Sequence, residues 1–473
     1  VKKITFLAVN MWMLIVFHTI TRDYVKKITF LAFIMGMEIQ RKIQQKLATW
    51  KSDPNRKPLV LQGARQVGKT WLLKQLGKNE FEDVAYFNFE EQPELKQFFE
   101  NTKDVQRIVQ NLSLVHGRAI RPQTTLLIFD EIQECNDALN TLKYFCENAP
   151  EYAIASAGSL LGVAMSRGQS FPVGKVTFLQ VNPISFAEFL SIDSPQLFDY
   201  LNGIDKLEPL PDIFFNPLVD KLKTYFISGG MPESVATLVA TGDVQATQQV
   251  LQDILNAYVL DFSKHADNKD IPKIQYIWSS IPSQLARDNK KFLYQTVREG
   301  ARARDYEDAL LWLSHAGLIH RVFRSNKPAL PLSAYDDLSA FKTYLLDVGL
   351  LRRLSLLDPI AVKEGNRLFT EFKGALTENF VLQHLVACFE GTPRYWTSGN
   401  QAEVDFLLQV KNDIIPIEVK AEENVKGRSL TIYNQHYNPP VRLRYSLRNL
   451  KMDDGMLNIP LFMVDYTEKL LNL

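Results

Sequence analysis

One stretch constrains this chain more than any other. An apolar run, Leu59-Val60-Leu61, leads into Gly63-Ala64-Arg65-Gln66-Val67-Gly68-Lys69-Thr70, which reads G-x-x-x-x-G-K-T, and then into Trp71-Leu72-Leu73. Glycines at that spacing let successive backbone N–H groups turn inward, and the arrangement works where a strand feeds a loop and the loop feeds a helix. Inward N–H groups and the positive end of the helix dipole both favour an anion, so the loop is a phosphate cradle. Gly63, Ala64, Arg65, Gln66, Val67 and Gly68 are expected to line nucleotide phosphates, with Lys69 reaching the β- and γ-phosphates of ATP and the Thr70 hydroxyl holding Mg²⁺.

A second half of the same site lies about 60 residues further on, where Thr124-Thr125-Leu126-Leu127-Ile128-Phe129 ends in Asp130 and Glu131. Two acids at the end of an apolar strand divide the chemistry between them, Asp130 supporting Mg²⁺ and Glu131 orienting the attacking water. Short β-like runs recur at 58–62, 84–89, 124–130, 152–157 and 176–181 with helical stretches between most of them. That alternation implies an α/β domain with a parallel sheet covered on both faces.

At 473 residues the chain needs more than one core. Lys and Arg total 54 against 53 Asp and Glu, so no global basic field announces nucleic acid. The three cysteines form no C-x-x-C, which excludes a disulfide framework and fits the cytoplasm, and the scattered histidines offer no H-x-x-x-H pair for zinc. Residues 1–36 repeat "VKKITFLA" literally at 1–8 and 25–32. Their apolar run ends at His18, Arg22 and Asp23, short of a membrane span, and they are read as a non-native extension with no stable membrane insertion.

Several motifs in series carry a resemblance. "RKPLVLQGARQVGKT", "LLIFDEIQ", "NPISFAEFL", "GGMPE", "YLLDVGLL" and "GALTENFV…EVDFLL…IEVKA" together resemble a prokaryotic family of AAA-type P-loop ATPases with a C-terminal nuclease-like domain of unknown function. The resemblance implies an ATPase of the AAA branch, with ATP and Mg²⁺ as cofactors and Lys69 and Glu131 as catalytic residues. It also implies a polar residue after the strand 152–157 that senses the γ-phosphate, Ser159 or else Ser156. Where many members carry Arg as a charge-neutralising finger, this chain has Gly174-Lys175, and Arg167 is the other candidate. Lys is a point charge that cannot fork onto phosphate as Arg does.

Downstream, a helical region with a helix, turn, helix and β-run suits a winged helix, and 287–304 carries six Lys and Arg against two acids. Glu378 on a helix, Asp405 in "AEVDFLL", and Glu418 with Lys420 in "IPIEVKA" have the order of a PD-(D/E)XK nuclease core. Period-2 alternation places Glu418 and Lys420 on one strand face, and Asp405 on a neighbouring strand completes a second metal site with Glu378. The expected division is 37–190 for the AAA-type domain, 191–345 for the helical and winged-helix region, and 346–473 for the α+β nuclease-like domain. ATP hydrolysis as a switch for the C-terminal half is the leading reading. An ATP-regulated nuclease and a non-catalytic ATP-binding adaptor are the alternatives. DNA or RNA, a protein partner and an oligomer all remain open.

Overall fold

The computed structural model describes residues 39–166, 172–364, 370–399, 401–421 and 428–473. The reading of residues 1–36 and the candidate Arg167 lie outside the described residues.

Five parallel strands form the first sheet: β1 (Leu59–Gln62), β2 (Asp83–Asn88), β3 (Thr125–Asp130), β4 (Ala153–Ala157) and β5 (Thr177–Gln180), in the order β2-β3-β4-β1-β5. Alternate residues of these strands serve opposite cores, as a two-residue period requires. Leu59, Leu61, Leu126 and Ile128 join the larger core, whereas Val60, Leu127 and Phe129 join a second one with the helices Val105–His116 and Asn136–Asn148. The strand β2 sits at the sheet edge, so β3 and β1 are separated by β4. Both halves of the expected site therefore arrive at the C-terminal ends of non-neighbouring strands, the position where open parallel sheets take their ligands.

The helices Asp212–Ser228, Pro232–Thr241, Val244–His265, Ile271–Leu285 and Ala303–His315 follow. They lead into an eight-stranded mixed sheet made of β6 (Ile319–Ser325), β7 (Asp336–Leu345), β8 (Arg394–Thr397), β9 (Glu403–Val410), β10 (Asp413–Val419), β11 (Arg442–Ser446), β12 (Lys451–Asp453) and β13 (Met456–Pro460). Its order is β12-β13-β11-β10-β9-β8-β6-β7. The β6–β7 hairpin joins the rest through one registered pair, Arg324 beside Tyr395, so the sheet runs across residue 345, where the sequence suggests a boundary.

Helix Thr370–Cys388 is buried all round over its middle, from Ala375 to Leu385. A helix without a polar face belongs inside a protein. Its polar residues are satisfied there: Asn379 exchanges hydrogen bonds with the Leu345 backbone, and Gln383 accepts from Val348 N–H and donates to the Tyr225 hydroxyl and Asp347.

Candidate functional site

The cradle forms as the motif requires. Gly63 and Gly68 hold φ of 148° and 94°, and Gln66 lies at 66°. A side chain at Gly63 would strike the Val181 carbonyl, so only glycine fits that turn. Helix Lys69–Glu80 starts directly after Gly68. Lys69 is buried and its ammonium donates to the carbonyls of Gly63 at 3.0 Å and Ala64 at 2.7 Å. Burial lowers its pKa to about 8 against the pull of Glu131 and Asp130.

Cradle and acidic strand end meet through one hydrogen bond: the Thr70 hydroxyl donates to Asp130 Oδ2 at 2.8 Å. Tyr86 on β2 donates to the same oxygen at 2.8 Å. Glu131 takes the left-handed conformation at φ 47°, which costs a non-glycine residue energy and recurs at functional positions. Its Oε2 accepts from the Gln133 amide at 2.6 Å and from the Ser159 hydroxyl at 3.3 Å. Ser156 is fully buried and its hydroxyl has no hydrogen-bond partner among the described residues. Of the two serines, only Ser159 contacts Glu131. Lys175 is paired with Glu147 at 2.9 Å.

Four other parts of the chain close around the loop. Arg65 pairs with Asp261 at 2.5 Å, and the Tyr258 hydroxyl donates to the Arg65 carbonyl at 2.9 Å, both from helix Val244–His265. A side chain at Gly68 would lie 3.6 Å from the Pro232 ring, and one at Gly317 3.3 Å from Ala64 N. Arg41, ahead of β1, donates to the carbonyls of Val67 at 3.4 Å and Asn182 at 2.6 Å and pairs with Glu188 at 3.1 Å. Sequence reasoning did not find Arg41, Tyr86, Gln133 or Asp261. Nothing local distinguishes them, because each acts on a residue distant in the chain or hidden in a turn.

From Glu188 the polar contacts continue into the C-terminal half. Lys42 N–H donates to Glu188 at 2.8 Å while its ammonium donates to the Asp465 carbonyl at 3.2 Å. Asp465 Oδ2 accepts from Ala187 N–H at 2.7 Å, and His384 Nε2 accepts from Phe186 N–H at 2.9 Å. That leaves the His384 proton on Nδ1, donating to the Phe380 carbonyl at 2.7 Å. Burial lowers the His384 pKa and keeps the ring neutral.

The C-terminal acids are arranged differently from the expectation. Glu378 pairs with Lys290 and accepts from the Tyr344 hydroxyl at 3.0 Å. Burial raises its pKa, but Lys290 and Lys342 outweigh that and leave it lowered. Asp405 accepts from Val419 N–H at 2.7 Å, and burial, with Glu378 nearby, raises it to about 7. Lys342, fully buried, pairs with Glu403. Glu418 meets Lys420 at 3.2 Å and Arg444 at 3.4 Å.

Among the described residues no three His, Cys, Asp or Glu side chains are grouped so as to hold a metal ion. Of the residues expected to share a cation there, Glu378 is met by Lys290, Asp405 by the Val419 N–H, and Glu418 by Lys420 and Arg444. No described helix is long and apolar enough to cross a membrane.

Residues 55–190 match the family model described as an AAA domain. Residues 219–361 and 373–463 match two domains of unknown function, DUF8612 and DUF4143. No curated protein matches the chain in sequence. Among solved structures, the Walker-type ATPase of Pyrococcus abyssi is similar at 15% identity and TM-score 0.43, over 67% of this chain and 95% of that one. The Aeropyrum pernix ORC1 protein in complex with DNA is similar at 14% identity and TM-score 0.29, over 70% and 97%. The Thermotoga maritima RuvB Holliday junction branch migration motor is similar at 15% identity and TM-score 0.28, over 60% and 89%.

Proposed function

We propose that the AAA-type P-loop ATPase domain carried at residues 55–190 hydrolyses ATP with Mg²⁺, and that its nucleotide state switches the C-terminal half. The observation that carries the hydrolytic reading is the Thr70–Asp130 hydrogen bond, which joins cradle and acidic strand end into one site. The residues fit the group. Backbone N–H groups of Gly63 to Gly68 and the Lys69 ammonium would hold the phosphates, and Thr70 and Asp130 would hold Mg²⁺, which would supply charge neutralisation. Glu131 orients the attacking water and accepts its proton, and Ser159 and Gln133 aim the Glu131 carboxylate. Lys69→Ala is expected to abolish ATP binding or turnover, and Glu131→Gln to retain ATP while losing hydrolysis. Unchanged phosphate release in both variants overturns the reading.

The switch reading is supported by the buried chain of contacts from Val67 through Arg41 and Glu188 to Asp465 and His384. A shift of the cradle on nucleotide binding would move Arg41, and Arg41 cannot move without breaking its buried ion pair with Glu188.

We read the C-terminal half as a nuclease-like fold and the preceding helices with the β6–β7 hairpin as a winged helix. Antiparallel β9–β10 followed by parallel β11 across helix Ser429–Tyr437 supports the first. The order of Ile271–Leu285, Ala303–His315 and the hairpin supports the second. Pairing of Glu418 with Arg444 and Lys420 favours nucleic-acid binding over cleavage.

A further inference from the structure

A cavity of about 520 Å³ opens at the β11–β12–β13 end of the second sheet. Arg442, Arg444, Arg448 and Lys451 line it together with Asn449 and Asn458, and the acids in its wall are Asp453 and Asp454. Four cations face two acids, and depth divides the cations into two pairs. The side chains of Arg442 and Arg444 are only 10% and 13% exposed, whereas those of Asp453 and Asp454 are 72% and 102% exposed. Arg442 and Arg444 therefore form the floor, while Arg448 and Lys451 stand at the exposed rim with the acids, where Asp454 meets Arg442 at 3.7 Å and Asp453 meets Lys451 at 2.9 Å.

Arg444 is the least satisfied of these groups. Its one contact among the described residues is Nε to Glu418 Oε2 at 3.4 Å, which leaves both terminal nitrogens without a partner there. Neither terminal nitrogen is shut off from solvent, so their four N–H donors stay open to a multi-oxygen acceptor entering the cavity. Register fixes its surroundings: Glu418, Arg444 and Asn458 are direct neighbours across β10, β11 and β13 and share one face. Arg442 lies on that face two residues away.

We propose that this cavity binds a phosphate group, and that the phosphate belongs to a nucleic-acid strand laid along β11 and β13 beside Glu418 and Lys420. Guanidinium forks match phosphate oxygens bidentately, and four cations in one cavity suit a strand carrying one charge per nucleotide. The proposal rests on the nucleic-acid reading of the C-terminal half and is independent of ATP hydrolysis.

The test uses the full chain carrying Lys69→Ala, so that the cradle's lysine does not contribute, in buffer with a metal chelator. Fluorescence anisotropy of a labelled oligonucleotide of about 20 nucleotides is measured against salt. Arg448→Ala and Lys451→Ala remove exposed side chains that leave the core intact. Each is expected to weaken binding about tenfold and to reduce the salt slope by about one. Arg444→Ala is expected to weaken it at least as much, with Arg444→Lys partly restoring it, and inorganic phosphate at millimolar concentration is expected to compete. Parental affinity and slope in the Arg444, Arg448 and Lys451 variants alike overturn the proposal. Binding of inorganic phosphate without any binding of oligonucleotide overturns its assignment to a strand. ATP turnover lost with oligonucleotide binding intact leaves it standing, which separates its failure from that of the ATPase reading.

Discussion

Lys69 holds its charge at a cost. Burial depresses its pKa to about 8, well below the ordinary 10.5. Between these values the unfolded chain keeps a proton that the folded chain has released, so this group's contribution to stability rises with pH across that window. An anionic ligand reverses the balance by favouring the ammonium. ATP affinity is therefore expected to fall as pH rises through about 8, with net proton uptake on binding at pH 8.5. Calorimetry in buffers of different ionisation enthalpy reads that uptake directly, and Lys69→Arg should remove it. Asp405 shows the opposite sign. Its pKa is raised from 3.8 to about 7, so the folded chain holds the extra proton and stability falls as pH rises from about 4 to 7. Thermal unfolding against pH should show that loss in the parent and not in Asp405→Asn, whose carbonyl oxygen can still accept from Val419 N–H.

Two glycine-bearing segments lock together at the scale of elements. Gly229 sits at φ 63°, and Gly349 approaches so closely that a side chain there would lie 2.7 Å from Gly229 Cα. Asp347 ties the same junction by accepting from Gly230 N–H at 2.6 Å and Leu350 N–H at 2.9 Å. The clash at Gly349 is backbone against backbone, with no flexible side chain to yield. Gly349→Ala should cost roughly 1–3 kcal/mol in denaturant unfolding, in the range of other overpacked sites. Helix Phe186–Asp193 makes the other junction, with Ser185 and Glu188 forming a reciprocal cap at its start. Glu188 also holds Arg41 and Lys42. Glu188→Ala should destabilise the chain by about 3–5 kcal/mol, since it strands a buried guanidinium. Asp465→Asn keeps most of the packing and is expected to uncouple the halves: ATP should bind with the parent's affinity while failing to slow amide exchange in helix Thr370–Cys388.

Across the whole molecule, one apolar core runs from Leu59 and Leu61 of the first sheet, through Leu222, Tyr258 and Trp278 of the helical region, to Phe406, Ile417 and Leu443 of the second sheet. A continuous apolar interior couples the parts energetically, because each part buries its apolar side chains against the others. Unfolding should therefore give a single transition, matched between far-ultraviolet circular dichroism and tryptophan fluorescence. A fragment of residues 39–190 would expose the face of the parallel sheet that carries Leu59, Leu126 and Ile128, and is expected to aggregate.

How far the sequence alone determines this protein follows from the range of the interactions involved. The cradle at Gly63–Thr70, the parallel sheet and the acidic ends of β3 were legible because each depends on neighbours within a few residues: glycine where φ must be positive, apolar runs of strand length, a helix starting after Gly68. The sequence also marked "GGMPE", "NPISF" and "DVGLL" as motifs without saying why. The structure supplies the reason, since each is one side of a junction whose other side lies about a hundred residues or more away. The C-terminal acids show the limit from the other direction. Alternation along β9 and β10 is a local rule, and it suggested that Asp405, Glu418 and Glu378 share a cation. What the tertiary structure added is that Lys290 and Lys342 come from the preceding region against Glu378 and Glu403, and Arg444 against Glu418. Which partner neutralises a buried charge is decided by what folds against it, and one-dimensional spacing carries no record of that.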